Sequence, residues 1–301
     1  MELLYKAQTR FLFHSHIKIK LSAFYEEGIF DELFAILEHV DKKYNSYQAG
    51  SYFDIINKNS GSFVDVDEET VNILNQAITI SDFFNGTYDI TVMPLIRLWG
   101  FYKDEQRRIP SIKEIEDVKK LVDYRRIEID GKKVRIEKGQ EIITGSFIKA
   151  YAVDRLTERM LELGINDAII NAGGSTIMAI NNESHPRWQV MVRHPQTEEI
   201  LFKLNIANQA YSTSSQAKTF VTIDGKEYGH ILNPITGFPS ANKQVGIISN
   251  NCMIGDMIST ALFNESAEGF LKKIDRLSEY YSIKGFMIDS DNNIIYTQDF
   301  R

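Results

Sequence analysis

Asp256 and Thr260 stand four residues apart, downstream of His230 and a Pro/Gly-rich turn that holds Asn233, Pro234, Thr236, Gly237 and Pro239. In a helix from Ile254 to Phe263, that spacing puts a carboxylate and a hydroxyl on one face, one turn apart. Two hard oxygen donors so placed suit Mg²⁺, with Mn²⁺ as the neighbouring choice. The structural reading of the same pair is an acid near a helix start, where it caps or complements the dipole. His230 ends a strand read from Tyr228 to Leu232. Its imidazole, with an ordinary pKa of about 6.5, is suited to accepting a proton near neutral pH.

A second group lies upstream. The segment TGSFIKAY, residues 144–151, opens a helix predicted from Gly145 to Leu163. Small residues and free amides at a helix N-terminus favour an anion, and Lys149 sits one turn in; a simply capped helix fits equally well. Gly173 and Gly174 interrupt a buried-type strand run, which predicts a bulge or a close approach of backbone to a ligand. No helix opens after them and the spacing is not GxGxxG, so a Rossmann reading fails. Tyr47, in a polar loop, is either surface or a platform for a flat ligand. His14 and His16 would share a face of one long strand from Phe11 to Phe24, with no further zinc ligand in view. Cys252 has no base beside it and reads as a small core residue.

The elements around these residues are regular. Helical spacing runs from Phe30 to Tyr44 and from Asp67 to Phe84, where Gly86 marks the stop; Ser111 and Glu114 form a capping box for a helix to about Val122. A hairpin turns at Asp130-Gly131, and short strands follow at Trp188–Arg193, Ile200–Ile206, Phe220–Ile223 and Val245–Ser249. Strands and helices mix without βα alternation, linker or repeat, so the expected fold class is α+β in a single domain spanning 1–301. A net charge of −7 and the lack of a basic, aromatic-laced block argue against nucleic acid as a partner. No apolar run reaches the ~18 residues of a transmembrane segment. One cysteine excludes an internal disulfide, and no leader pattern or lipobox-like cysteine opens the chain. The expected location is cytoplasmic, although a protein trimmed of its export signal would read the same way.

Several stretches, in order over nearly the whole chain, resemble the ApbE-type flavin transferases, the FAD:protein FMN transferase family. YDITVMPLIRLWGF resembles that family's FD-x-T-x-x-PL-x-x-x-WGF segment, and GSFIKAYAVD its G-x-x-AKGYAVD helix. NAGGS resembles N-x-GGD, YSTSSQ the TSG segment, HILNPITGFP the HI-x-DP-x-TG-x-P turn, and GDMISTAL the AD-x-x-x-TAL helix. The resemblance implies one unit of mixed, mainly antiparallel sheets packed with helices. It places Asp256 and Thr260 on Mg²⁺ ligands, with a backbone carbonyl near Ser146 as a third, and Lys149 beside the phosphates. His230 falls on the acid–base histidine. Tyr47 falls in the loop that lies against the flavin or adenine. Asn171, Gly173, Gly174, Thr213, Ser214, Thr236 and Gly237 fall in the ligand-contacting motifs, and Thr236 and Gly237 also shape the turn after His230.

The implied reaction moves FMN from FAD to a Thr or Ser hydroxyl of an acceptor protein bearing an Asp-x-x-Thr-type motif, with release of AMP. Two alternatives are a pyrophosphatase that gives water the acceptor's place, and a flavin-binding homologue without turnover. Departures from the family pattern motivate the last. Ser175 replaces the aspartate of GGD, Ala150 the glycine of AKGY, Ser215 the glycine of TSG, and Asn233 the aspartate of DP-x-TG. Ile143 and Thr144 stand where an acid usually precedes the helix. A site with fewer carboxylates is expected to bind Mg²⁺ less tightly.

Overall fold

The computed structural model describes residues 4–101, 108–216, 219–298 and 300. In chain order the strands are β1 (Tyr5–Leu12), β2 (Ser15–Ser22), β3 (Val64–Asp65), β4 (Glu128–Asp130), β5 (Lys133–Arg135), β6 (Ala168–Ala172), β7 (Thr176–Ile180) and β8 (Trp188–Arg193). They continue with β9 (Ile200–Ile206), β10 (Ala210–Ser215), β11 (Phe220–Ile223), β12 (Lys226–Gly229), β13 (Gln244–Ser249), β14 (Ile283–Ile288) and β15 (Ile294–Tyr296). The α-helices are α1 (Ile29–Tyr44), α2 (Tyr52–Lys58), α3 (Glu68–Phe83), α4 (Met93–Leu98), α5 (Ile112–Lys119), α6 (Ile148–Glu162), α7 (Cys252–Leu262) and α8 (Ala267–Leu277).

The main sheet runs β1-β2-β6-β7-β10-β13-β14-β15, and each neighbouring pair in it is antiparallel. Side chains alternate across a strand, and here both faces find cover. Ile17, Ile19, Leu21, Ile170, Met178 and Val245 point into the larger core with α1, α6 and α7. From the opposite face, Ile177, Ala179, Tyr211, Ile248 and Phe286 pack under the β8–β9 ribbon against Trp188, Val190, Val192, Leu204 and Ile206. A third cluster joins α4, α5 and β11 through Leu95, Trp99, Ile115 and Val221. The α+β class with antiparallel sheets is as expected. Among the described residues no helix is long and apolar enough to cross a membrane.

Several elements differ from the expectation. Helix α6 starts at Ile148 and not at Gly145, which puts Lys149 in its first turn. The alternating run from Phe11 to Phe24 is a hairpin, not one strand: β1 pairs with β2 from Leu12↔Ser15 outward, and the turn holds Phe13 at φ 51° and His14 at φ 55°. His14 is therefore a turn residue and does not share a strand face with His16. The stretch AYSTSS is β10, a central strand that small polar side chains disguise. The strand expected from Tyr228 to Leu232 ends at Gly229, leaving His230 in the connection that follows. The capping box at Ser111 and Glu114 is present.

Candidate active site

A cleft of about 1130 Å³ opens where the β6–β7 turn, β10, β8, the start of α6 and the middle of α7 meet. Tyr47, Ser146, Lys149, Asn171, Gly173 and Gly174 line it. So do Thr213, Ser214, His230, Asp256 and Thr260. Residues from distant parts of the chain are thus brought to one space. Thr236 and Gly237 are the exceptions: they do not line the cleft. The Gly237 carbonyl accepts a hydrogen bond from Trp99 Nε1 at 2.9 Å, and Thr236 sits in the turn capped by Asn233 Oδ1, which accepts from its amide. Their part is to hold the segment after His230 against α4 and α5. Asn233, standing where an aspartate is usual, still accepts from the amides of Ile235 and Thr236.

Asp256 is 8% exposed, and its Oδ2 accepts from Thr176 Oγ1 at 2.8 Å while Oδ1 has no hydrogen-bond partner. Ser212 lies close by, but its hydroxyl donates to the Cys252 carbonyl at 3.3 Å. A buried carboxylate oxygen left unpaired is costly, and burial pushes the Asp256 carboxyl up to about 6 despite the opposing charge of Lys149. One helical turn on, Thr260 donates to the Asp256 carbonyl at 3.0 Å and meets Ser214 Oγ at 3.1 Å. The Thr260 and Ser214 hydroxyls thus stand one helical turn from the orphaned carboxylate. Among the described residues, no three His, Cys, Asp or Glu side chains converge. This donor set fits a hard cation such as Mg²⁺, which keeps several waters or substrate oxygens, and does not fit zinc.

Two supports of this corner lie inside the quoted motifs, where no role was assigned to them. Asp154 on α6 accepts from the amides of Cys252 and Met253 at 2.7 and 2.8 Å, fixing the N-terminus of α7. Gly255 lets α7 approach β10: a Cβ there would meet Ser249 Oγ at 2.6 Å and Ser212 Oγ at 2.7 Å. Gly255→Ala is therefore expected to cost about 1–3 kcal/mol of stability. Gly28→Ala, with nothing within 4 Å of the added carbon, is the matched control. Denaturant unfolding of both variants checks the difference, and equal midpoints would refute it.

Lys149 donates to the Ala172 carbonyl at 3.0 Å and to Ser175 Oγ. The ammonium thus braces the β6–β7 turn, where the Asn171 side chain accepts from the Gly174 amide at 2.8 Å. Gly173 is needed there, because its φ is 70° and a Cβ would fall 2.1 Å from Ser15 Oγ. The paired glycines make this tight turn, not a bulge. Ser146 Oγ is 3.1 Å from Tyr88 OH, and Tyr88 is a cleft residue not foreseen from sequence. Tyr47 stands edge-on to His14, ring centroids 6.0 Å apart. The missing acid before α6 has a neutral replacement: Thr144 Oγ1 accepts from the Ser46 amide at 2.9 Å, and Ser46 Oγ from the Thr144 amide at 3.1 Å.

His230 Nδ1 is 3.0 Å from the Thr219 carbonyl. A carbonyl only accepts, so Nδ1 carries the proton and Nε2 keeps its lone pair. Burial holds the imidazole below its ordinary value of 6.5, which leaves it neutral at pH 7. Cys252 is fully buried and its thiol is pushed well up, as a core residue would be.

Fold and cleft together define an antiparallel α+β ligand-binding protein in which a buried carboxylate, a lysine and an imidazole share one cavity. The model of the ApbE family matches residues 13–282, and the chain belongs to that family. It is 25% identical over 240 residues to the FAD:protein FMN transferase of Vibrio cholerae, covering 77% of this chain and 71% of that one. With a Klebsiella pneumoniae FAD:protein FMN transferase it shares 24% over 294 residues, 94% of this chain and 89% of the relative. The crystal structure of the ApbE protein from Thermotoga maritima superposes with a TM-score of 0.90 at 25% identity, covering 99% of this chain and 98% of that one. The structure of the flavin transferase ApbE from Vibrio cholerae gives a TM-score of 0.85 at 19% identity, and shows the shared fold.

Proposed function

We propose that this protein is an FAD:protein FMN transferase, moving FMN from FAD onto a Thr or Ser hydroxyl of an acceptor protein and releasing AMP. The observation that carries the mechanism is the unpaired Asp256 Oδ1, one helical turn before Thr260, in the same cleft as a neutral His230 whose Nε2 is available. Asp256 and Thr260 would hold a divalent cation, with Ser146 contributing a backbone oxygen. A Mg²⁺ held there would supply charge neutralisation on the diphosphate. Lys149 meets the same phosphates as a point charge on α6, and Tyr47 offers a ring to a flat part of the ligand. His230 Nε2 takes the proton of the acceptor hydroxyl as its oxygen bonds to the FMN-side phosphorus. The bond from that phosphorus to the bridging oxygen breaks, and the pair leaves with AMP.

Mass spectrometry of a mixture of protein, FAD, Mg²⁺ and a short Thr-containing acceptor peptide tests this. The expected result is AMP and FMN-bearing peptide in equal amounts. AMP formed at the same rate without peptide, and no modified peptide, would show hydrolysis in place of transfer.

A further inference from the structure

One wall of the cleft is an unfinished sheet. Gln189 through His194 line the cleft consecutively, and no residue of β9 does. Because side chains alternate between the faces of a strand, consecutive lining means that the edge of β8 borders the space. That edge is open: β8 pairs with β9 alone, and among the described residues the backbone of 189–193 has no hydrogen bond outside that ladder. Trp188, Val190 and Val192 are anchored in the core under the ribbon, so the edge is held in place. Gln189, Met191 and Arg193 form the exposed row, with Lys203 opposite Met191.

An open edge is a template for another strand, because its unpaired amides and carbonyls bind any extended chain laid beside it. Here the edge faces a reaction space. Lys149 and Asp256, which meet the diphosphate in the reading above, stand on helices packed against one face of the main sheet; β8 covers the other. The two substrates therefore have opposite walls to use.

We propose that the acceptor protein docks by adding an extended segment to the free edge of β8, which carries its hydroxyl to His230. Arg193, on the exposed row and lining the cleft, suits a segment with an acidic side chain near that hydroxyl. This rests on the transferase reading, and the test separates the two.

The test uses the unaltered protein with FAD and Mg²⁺. The probe is a set of ten-residue peptides of Asp-x-x-Thr type, each with one backbone amide N-methylated in turn. N-methylation removes a donor and blocks strand pairing at that residue. With a docked strand, alternate positions are expected to raise the KM for flavinylation tenfold or more, while the positions between them stay within about twofold of the parent. A parent peptide that gains FMN with a profile lacking this alternation overturns edge docking and leaves the transferase reading standing. A peptide set that gains no FMN at all overturns both.

Discussion

Asp256→Ala is expected to lower FAD cleavage about a thousandfold at saturating Mg²⁺, since charge neutralisation by a bound cation contributes several kcal/mol to such a reaction. The metal-free variant is expected to fold as well as the wild type. Its lost side chain makes one hydrogen bond, to Thr176, and leaves the other oxygen buried and unpaired. Denaturant titration with and without Mg²⁺ separates the two effects: wild type gains stability from the ion and the variant does not. A fully active variant would rule out the arrangement.

The same carboxyl has a pH signature. Burial pushes Asp154 and Asp256 up to about 6 from an ordinary 3.8. A carboxyl with a raised folded-state pKa binds its proton better in the folded chain, so its contribution to stability is fully present below about pH 4. It is lost as pH rises through about 6. Metal-free protein is thus expected to lose stability from these two groups between those values, and Asp256→Asn to flatten part of that slope. With Mg²⁺ the direction reverses for Asp256, because protons compete with the ion and apparent affinity falls below about pH 6.

His230→Gln is expected to lower kcat by about 10²–10⁴ while FAD binding stays near the wild-type value. The imidazole is held neutral at pH 7 by burial, with Nδ1 committed to the Thr219 carbonyl. Wild-type kcat is therefore expected to fall on an acid limb below 6.5 that added Mg²⁺ does not shift, in contrast to the limb set by Asp256. The variant should lack the Mg²⁺-insensitive limb. An unchanged pH profile in His230→Gln would remove the histidine from proton transfer.

What the sequence made legible was whatever repeats at a fixed period or recurs as a motif. Helix α1 follows from apolar spacing, and α7 from the same periodicity around Asp256 and Thr260. The β1–β2 turn was hidden because it bends through Phe13 and His14, residues that give no Gly or Asn signal for positive φ. Strand β10 was hidden because Ser212 and Ser214 are spent on α7, through the Cys252 carbonyl and through Ser259 and Thr260. Asp154, Thr176 and Gly255 matter only through neighbours about a hundred residues away or nearer across the sheet, contacts that no local pattern encodes. Thr236 and Gly237 illustrate the opposite error: they belong to a recognisable motif, yet their contacts are to Asn233 and Trp99 and not to the cavity.

Helix α6 carries Lys149 near its start and Asp154 less than two turns further on. The first reaches into the cleft; the second is moored to the helix that bears Asp256. One stiff rod therefore positions both groups proposed to grip the diphosphate, and they are expected to respond together. A core substitution that rolls or slides α6 would shift the ammonium and the cation corner in step, so variants along its buried face should lose phosphate and metal affinity together.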